Sequence, residues 1–380
     1  MTRNQLMTGA AGLALALGVA TAGEAREIPA LADLEGAGND GYWEYYDVAT
    51  DEQIEAYQAI VRAPAVPMEN PPAEPIRIGF VYPSLDVSDF WLRNYIAMLA
   101  RMDEIGLPYE TVQYASDIDE HTVQATYAEQ MLQEDFDYIV FGPTELRIQQ
   151  DGVKALLDKP DTEVMVWNYT VVPQEWGSTQ PLSFVAFSHL NGALNMCRYV
   201  LETLGSEGTL ALIRGTPGSI DDQRSGGFAD CVTTEGNWEV AYEHYGNFTR
   251  EGGYTGAQQI LQAFPEVTLI HNANTAMAMG SLSAVQEINS DVLITGWGGT
   301  GDELEAMRLG ELWATPMRMA DDIGVAAAEA IRADLEGRTD EVPLVFLGRV
   351  TIATGTQGAD EVDAMEAESF RYSGIGTLER

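Results

Sequence analysis

The sequence predicts an α/β protein of two doubly wound parallel-sheet domains joined by a hinge of three chain segments. Three observations carry this reading: apolar runs of strand length alternate with helix-period stretches from residue 76 onward, the alternating series starts twice, and the last apolar run is too long for one buried strand. The strand-like runs are nearly continuous in Val, Ile, Leu and Phe, as expected when a sheet is covered on both faces.

Taken in order, Ile76 to Pro83 (IRIGFVYP) is the first strand, and Phe90 to Ile105 carries apolar residues at helical spacing until Gly106 stops it. TVQY, a helix from Glu120 to Gln133, YIVFGP, a helix from Ile148 to Leu157 and VMVWNYT complete the first series. FVAFS opens the second, followed by a helix from Leu190, TLALIRG, a helix from Asp222, WEVAYEHYG, a helix over Tyr254 to Ala263, VTLIHNAN, a helix from Met277 and VLITGWGG. After Gly310 come LWATPMRM, a helix from Asp321 to Leu335, and the long run Pro343 to Thr354, which is read as crossing between domains. The expected division is 76–181 plus 314–343 for an N-terminal domain and 182–313 plus 344–380 for a C-terminal one. Crossings are expected near Thr179 to Ser183, Leu312 to Thr315 and Val342 to Leu344. Residues 23–75 form an extension in which Gly41-Tyr42-Trp43-Glu44-Tyr45-Tyr46 docks through its rings, while Pro64, Pro67, Pro71, Pro72 and Pro75 favour an extended surface arm.

Composition bounds the function. The chain has 380 residues, 46% of them hydrophobic, which suffices for two cores, so its acidity does not mean disorder. Against 59 Asp and Glu stand 20 Lys and Arg, a net charge of -39 that repels a phosphate backbone, and no basic run offers a local exception. Nucleic acid is therefore excluded as a partner. Carboxylates spread over the whole length form a solvated surface suited to salty water, which screens their repulsion.

Residues 1–22 read as a cleaved secretory signal peptide: Arg3 supplies a positive start, Leu6 to Val19 is apolar, and Ala20-Thr21-Ala22 fits a small-residue cleavage site. The apolar run is shorter than the roughly 20 residues that span a bilayer. The mature chain is thus expected in the periplasm, as a monomer. Cys197 and Cys231 are the only cysteines; they are either two buried thiols or a bridge between neighbouring helices, which an exported protein permits.

Reaction motifs are missing. GxxxxGK[ST], HExxH, CxxC and GxSxG do not occur, so the chain is not read as an enzyme, and no cofactor or metal is expected. His121, His189, His244 and His271 read as surface or capping residues. Gly296-Trp297-Gly298-Gly299-Thr300-Gly301 looks like a phosphate cradle but lacks the GxGxxG spacing, and its plainer reading is a tight turn from strand to helix.

In open parallel sheets ligands bind beyond the carboxyl ends of the strands. That rule selects Asp86, Ser88, Asp89 and Trp91 after the first strand, Asn168 at the end of the VMVWNYT run, Arg224 after TLALIRG, Thr275 after VTLIHNAN, Trp297 at the end of VLITGW, and Arg318 in LWATPMRM. Indoles to stack on a ring, with guanidinium, amide, hydroxyl and carboxylate groups for its oxygens, make a polyol site. Taken singly, each has a plainer reading: a Trp can be core, and Arg224 can pair with Asp221 or Asp222 at the surface.

Eight segments carry a resemblance: GYWEYY, VRAPAVP, VYPSLDVSDFWLRN, PQEWGSTQP, EGGYTGAQQI, TGWGGTGDELEAM, MRMADDIGVAAAEAI and FRYS. Through them the chain, from about Gly41 to Ser373, resembles the periplasmic sugar-binding proteins of the ribose-binding type, and within them the LuxP-like receptors for autoinducer-2. The resemblance implies a hinged type I periplasmic binding fold and ligand contacts at Ser88, Trp91, Asn168, Arg224, Thr275, Trp297 and Arg318. It further implies a partner in the inner membrane, either a sensor kinase or an ABC permease. The ligand implied is autoinducer-2, whose borate diester a second guanidinium, Arg318, would suit; the alternative is a sugar or polyol. Asp86 stands where these receptors carry Gln, and Ala276 where most sugar binders carry Asp. A transcriptional repressor with the same core fold is excluded by the charge, the leader and the missing helix-turn-helix.

Overall fold

The structure is a computed structural model that describes residues 41–83, 88–118 and 120–374. The leader expected at 1–22 and the site candidate Asp86 lie outside these residues. In chain order the strands are β1 (Tyr42–Glu44), β2 (Ile76–Pro83), β3 (Tyr109–Ser116), β4 (Tyr138–Phe141), β5 (Glu163–Trp167), β6 (Val171–Pro173), β7 (Ser183–Phe187), β8 (Glu207–Arg214), β9 (Asn237–Tyr245), β10 (Leu269–Asn272), β11 (Leu293–Thr295), β12 (Ala314–Arg318), β13 (Val345–Gly348) and β14 (Val350–Thr354). Two six-stranded sheets result, ordered β13-β7-β5-β4-β2-β3 and β14-β12-β11-β10-β8-β9. Within them the pairings are parallel except β12 with β14. Each sheet is the core of one α/β domain, as the doubled series predicts.

The domain boundaries differ from the expectation by one strand at each crossing. β7, expected to open the second domain, pairs with β5 in the first sheet, Met165 opposite Ser183. β12, expected in the first domain, lies in the second sheet between β11 and β14, and β13 lies beside β7 in the first. The chain therefore crosses at Phe187 to His189, Arg318 to Asp321 and Gly348 to Val350. An apolar run buried on both faces looks the same in either sheet, so periodicity counts the strands without assigning them. The long run from Pro343 does cross between domains: it breaks at Arg349 into β13 and β14.

The extension contains a helix the sequence reading did not anticipate, Asp51–Arg62. Thr50 caps it, accepting from the Gln53 backbone while the Gln53 side chain accepts from the Thr50 amide. Ile54, Tyr57 and Val61 recur at helical spacing and are buried; Tyr57 donates to the Ala326 carbonyl at 3.1 Å and Gln58 to the Leu347 carbonyl. The helical signal is short and runs directly into the prolines, which is why it was hidden. Beyond it, residues 63–75 form no regular element and are mostly exposed. The aromatic stretch does dock: β1 pairs antiparallel with β6, Trp43 opposite Val172, and Trp43 is buried.

The helix Phe90–Ile105, whose first turn reaches the cleft, is fixed from behind by the helix Asp321–Leu335. A Cβ at Gly324 would lie 2.2 Å from the Asn94 carbonyl oxygen, so the backbones meet at contact distance. Asn94 accepts from the Gly324 amide at 3.0 Å, and the buried Arg101 pairs with Glu329 at 2.6 Å. Cys197 and Cys231 form a disulfide that joins the helices His189–Leu204 and Gly227–Thr234. No helix among the described residues is long and apolar enough to cross a membrane.

Candidate functional site

The carboxyl ends of the two sheets face one another across a cavity of about 50 Å³. Ser88, Trp91, Asn168, Arg224, Thr275, Trp297 and Arg318 all line it, so the strand-end rule brings together residues drawn from both domains. Phe90, Thr144 and Asn274 line it as well and were missed. Phe90 hides in a run that reads as core, and Thr144 follows YIVFGP, where the same rule would have found it. Asn274 is the cap of the helix Thr275–Ile288, accepting from the Met277 amide.

Asp89 does not line the cavity wall. It pairs with Arg93 at 2.7 Å and accepts from the Gly301 amide of the other domain at 3.3 Å, which makes it a bridge across the cleft mouth. Its Oδ1 is buried without a hydrogen bond among the described residues. Ala276 is buried in the first turn of its helix.

The indoles are placed by glycines. A Cβ at Gly142 would lie 2.5 Å from the Trp91 ring, so the end of β4 must be bare for this ring to lie against it. Trp297 is 2% exposed, and the Arg224 guanidinium lies 5.1 Å from its ring centroid. Arg318 lies 3.9 Å from the Phe90 centroid, and Gly298, at φ +139, leaves it room: a Cβ there would sit 2.6 Å from an Arg318 nitrogen.

Both guanidiniums are buried, and neither has a carboxylate within ion-pair distance among the described residues. The pairing with Asp221 considered for Arg224 is made by Arg214 instead, at 2.8 Å, and the Asp221 carboxylate is buried. Burial, with Arg318 nearby, pushes the Arg224 pKa well below its ordinary value. Burial lowers Arg318 to about 10, with Glu303 and Asp89 opposing the shift. Two desolvated donors without an acidic partner favour oxygen atoms brought by a ligand. Asn168, at φ +68, adds a buried Oδ1 that lacks a partner among the described residues, an acceptor for a hydroxyl.

The glycine-rich loop after β11 is a turn, in line with its plainer reading. The amides of Trp297 and Gly299 donate to the buried carboxylate of Glu303, at 2.9 and 2.7 Å, so the groups that would cradle a phosphate are taken. Two of the four histidines correct the expectation. His189 and His271 are fully buried: His189 bonds the Asn168 carbonyl and Arg224, and His271 bonds Thr295 and stacks on Phe228. Among the described residues, no three His, Cys, Asp or Glu side chains are placed to hold a metal ion.

The sequence matches the family model of the periplasmic binding protein domain over residues 78–339. It is similar to the ribose import binding protein RbsB of Bacillus subtilis, 29% identical over 203 residues that make up 50% of this chain and 65% of that one. The chain thus spans a little under two thirds of that relative's length. It is also similar to the D-ribose/D-allose-binding protein of Pseudomonas aeruginosa, 25% identical over 73% of this chain and 87% of that one. In fold it resembles an ABC transporter solute-binding protein of Bacillus halodurans C-125 solved with myo-inositol, with TM-score 0.65, 21% identity and coverage of 79% of this chain and 100% of that one.

Proposed function

Since the chain belongs to the periplasmic binding protein domain family, we propose that it closes on a small sugar or polyol in the periplasm and delivers it to an ABC importer. The observation that carries this reading is the cavity itself. Two indoles, two guanidiniums, Thr275 and Asn168 converge there from the strand ends of both domains, matching a hydroxylated ring with hydrogen-bond donors and apolar faces. The names of the relatives, a ribose importer component and a ribose and allose binder, support a neutral sugar and an import partner. They lend nothing to the narrower expectation of autoinducer-2 and a sensor kinase. One observation keeps an anionic ligand as a second reading: Arg318, buried with no ion-pair partner among the described residues.

Calorimetry of the exported chain with D-ribose, D-allose, L-arabinose, myo-inositol and autoinducer-2, the last with and without borate, separates the two. The expected result is binding of one sugar or polyol at about micromolar Kd or tighter, near -8 kcal/mol, unaffected by borate. Arg224→Met and Arg318→Met should each weaken it roughly tenfold to a hundredfold, the value of charge-assisted hydrogen bonds. Borate-dependent binding of autoinducer-2, with no sugar bound, would overturn the sugar reading.

A further inference from the structure

We propose that His189 is a positioning residue of the ligand site, a neutral imidazole in one fixed tautomer that orients Asn168 of the first domain and Arg224 of the second. Its functional half rests on the sugar-binding reading above; its structural half does not. His189 opens the helix His189–Leu204 directly after the first crossing between domains and is 1% exposed. Its Nε2 lies 3.0 Å from the Asn168 carbonyl oxygen, which can only accept, so Nε2 carries the hydrogen. Its Nδ1 lies 3.3 Å from Arg224 Nε, which can only donate, so Nδ1 is bare. A proton on Nδ1 would set two N–H groups against each other. Burial and the guanidinium of Arg224, with Arg318 adding to them, hold the ring neutral.

Both partners are site residues. Arg224 gives Nε to His189 and Nη1 to the Ala273 carbonyl at 2.9 Å, which leaves Nη2 without a hydrogen bond among the described residues and available to a ligand. Asn168 is held in its left-handed conformation by two backbone bonds, its amide to the Val185 carbonyl at 2.9 Å and its own carbonyl to His189. The same pair of bonds sets where its Oδ1 lies, which has no hydrogen bond among the described residues. An apolar side chain in place of His189 would strand a buried carbonyl and release the guanidinium together. Gln, with a donor and an acceptor on one amide, could keep both bonds.

Two measurements test this on the full chain. In the ligand-free protein, long-range proton–nitrogen spectra of the histidine rings, assigned by single substitutions, should show His189 as the Nε2–H tautomer from pH 5 to 8. The Arg224 Nε–H should exchange slowly in wild type and in His189→Gln but fast in His189→Leu. An imidazolium or an Nδ1–H tautomer, or equal exchange in all three proteins, overturns the proposal. In calorimetry with the tightest-binding sugar of the panel above, His189→Leu should weaken binding roughly tenfold or more, and His189→Gln much less. In an Arg224→Met background, His189→Leu should cost less than about half of what it costs in wild type, because part of its effect passes through Arg224. Fully additive losses, the signature of a merely structural residue, would contradict the inference. If no panel sugar binds wild type, the sugar reading fails, while the spectra still decide the place of His189.

Discussion

Arg214, rather than Arg224, takes the acidic groups around TLALIRG, bonding Asp221 at 2.8 Å and Glu243 at 2.8 Å, and that allocation leaves the arginine of the cleft without an ion-pair partner among the described residues. Burial acts on the histidines too. The His271 ring is pushed down to about 3 by burial, whereas in an unfolded chain it takes a proton near 6.5. Between those values the unfolded state binds the extra proton, so this residue's contribution to stability is intact above 6.5 and is lost as the pH falls. Moving from pH 7 to 5 should cost about 2 kcal/mol through this ring. Urea unfolding at the two pH values checks it: His271→Gln should lose about that much less than wild type, and an equal loss would show that the ring does not titrate across folding.

At the scale of elements, the loop between β11 and the helix Gly301–Arg308 is set by one carboxylate. Glu303 accepts from the amides of Trp297 and Gly299 and from the Thr315 hydroxyl at 2.8 Å, so it ties the loop to β12 and places Trp297 beside Arg224. The helices His189–Leu204 and Gly227–Thr234 are held as a pair by the disulfide, whose cysteines are 34 residues apart. Closing a loop of that length in the unfolded chain contributes about 3 to 4 kcal/mol on the chain-entropy account. A reductant should therefore shift the urea midpoint to lower concentration, and an unchanged midpoint would mean that the bridge constrains little.

At the scale of the molecule, three chain segments join the domains, at Phe187 to His189, Arg318 to Asp321 and Gly348 to Val350. Three connections between two bodies suit bending about a common axis, and the site lies between the bodies, so a ligand touching both would favour the closed arrangement. Three contacts join the two domains across the cleft: Asp89 to Gly301, Thr170 to Gln223 at 3.2 Å, and Arg147 to Asp222 at 3.8 Å. Small-angle scattering should show a smaller radius of gyration with saturating sugar than without. Demonstrated binding with an unchanged radius would count against hinge closure. The net charge of -39 works against compaction in dilute buffer, so the two states should be compared at one ionic strength.

The sequence by itself determined the alternation of strands and helices, the doubling of the series, the helix Asp321–Leu335 to its ends, and half of the cavity lining. These features follow from local period and from a rule about strand ends, both of which are written along the chain. Tertiary structure alone decided which sheet β7, β12 and β13 join, because a strand covered on both faces carries no mark of its neighbours. It alone decided between a bridge and two thiols for Cys197 and Cys231, which depends on how two helices pack. The burial of His189 and His271 and the pairing of Arg214 instead of Arg224 with Asp221 were likewise invisible in the chain. Each depends on groups far apart in sequence that meet only when the domains form, and it is there that burial and hydrogen bonding set the charge of a side chain.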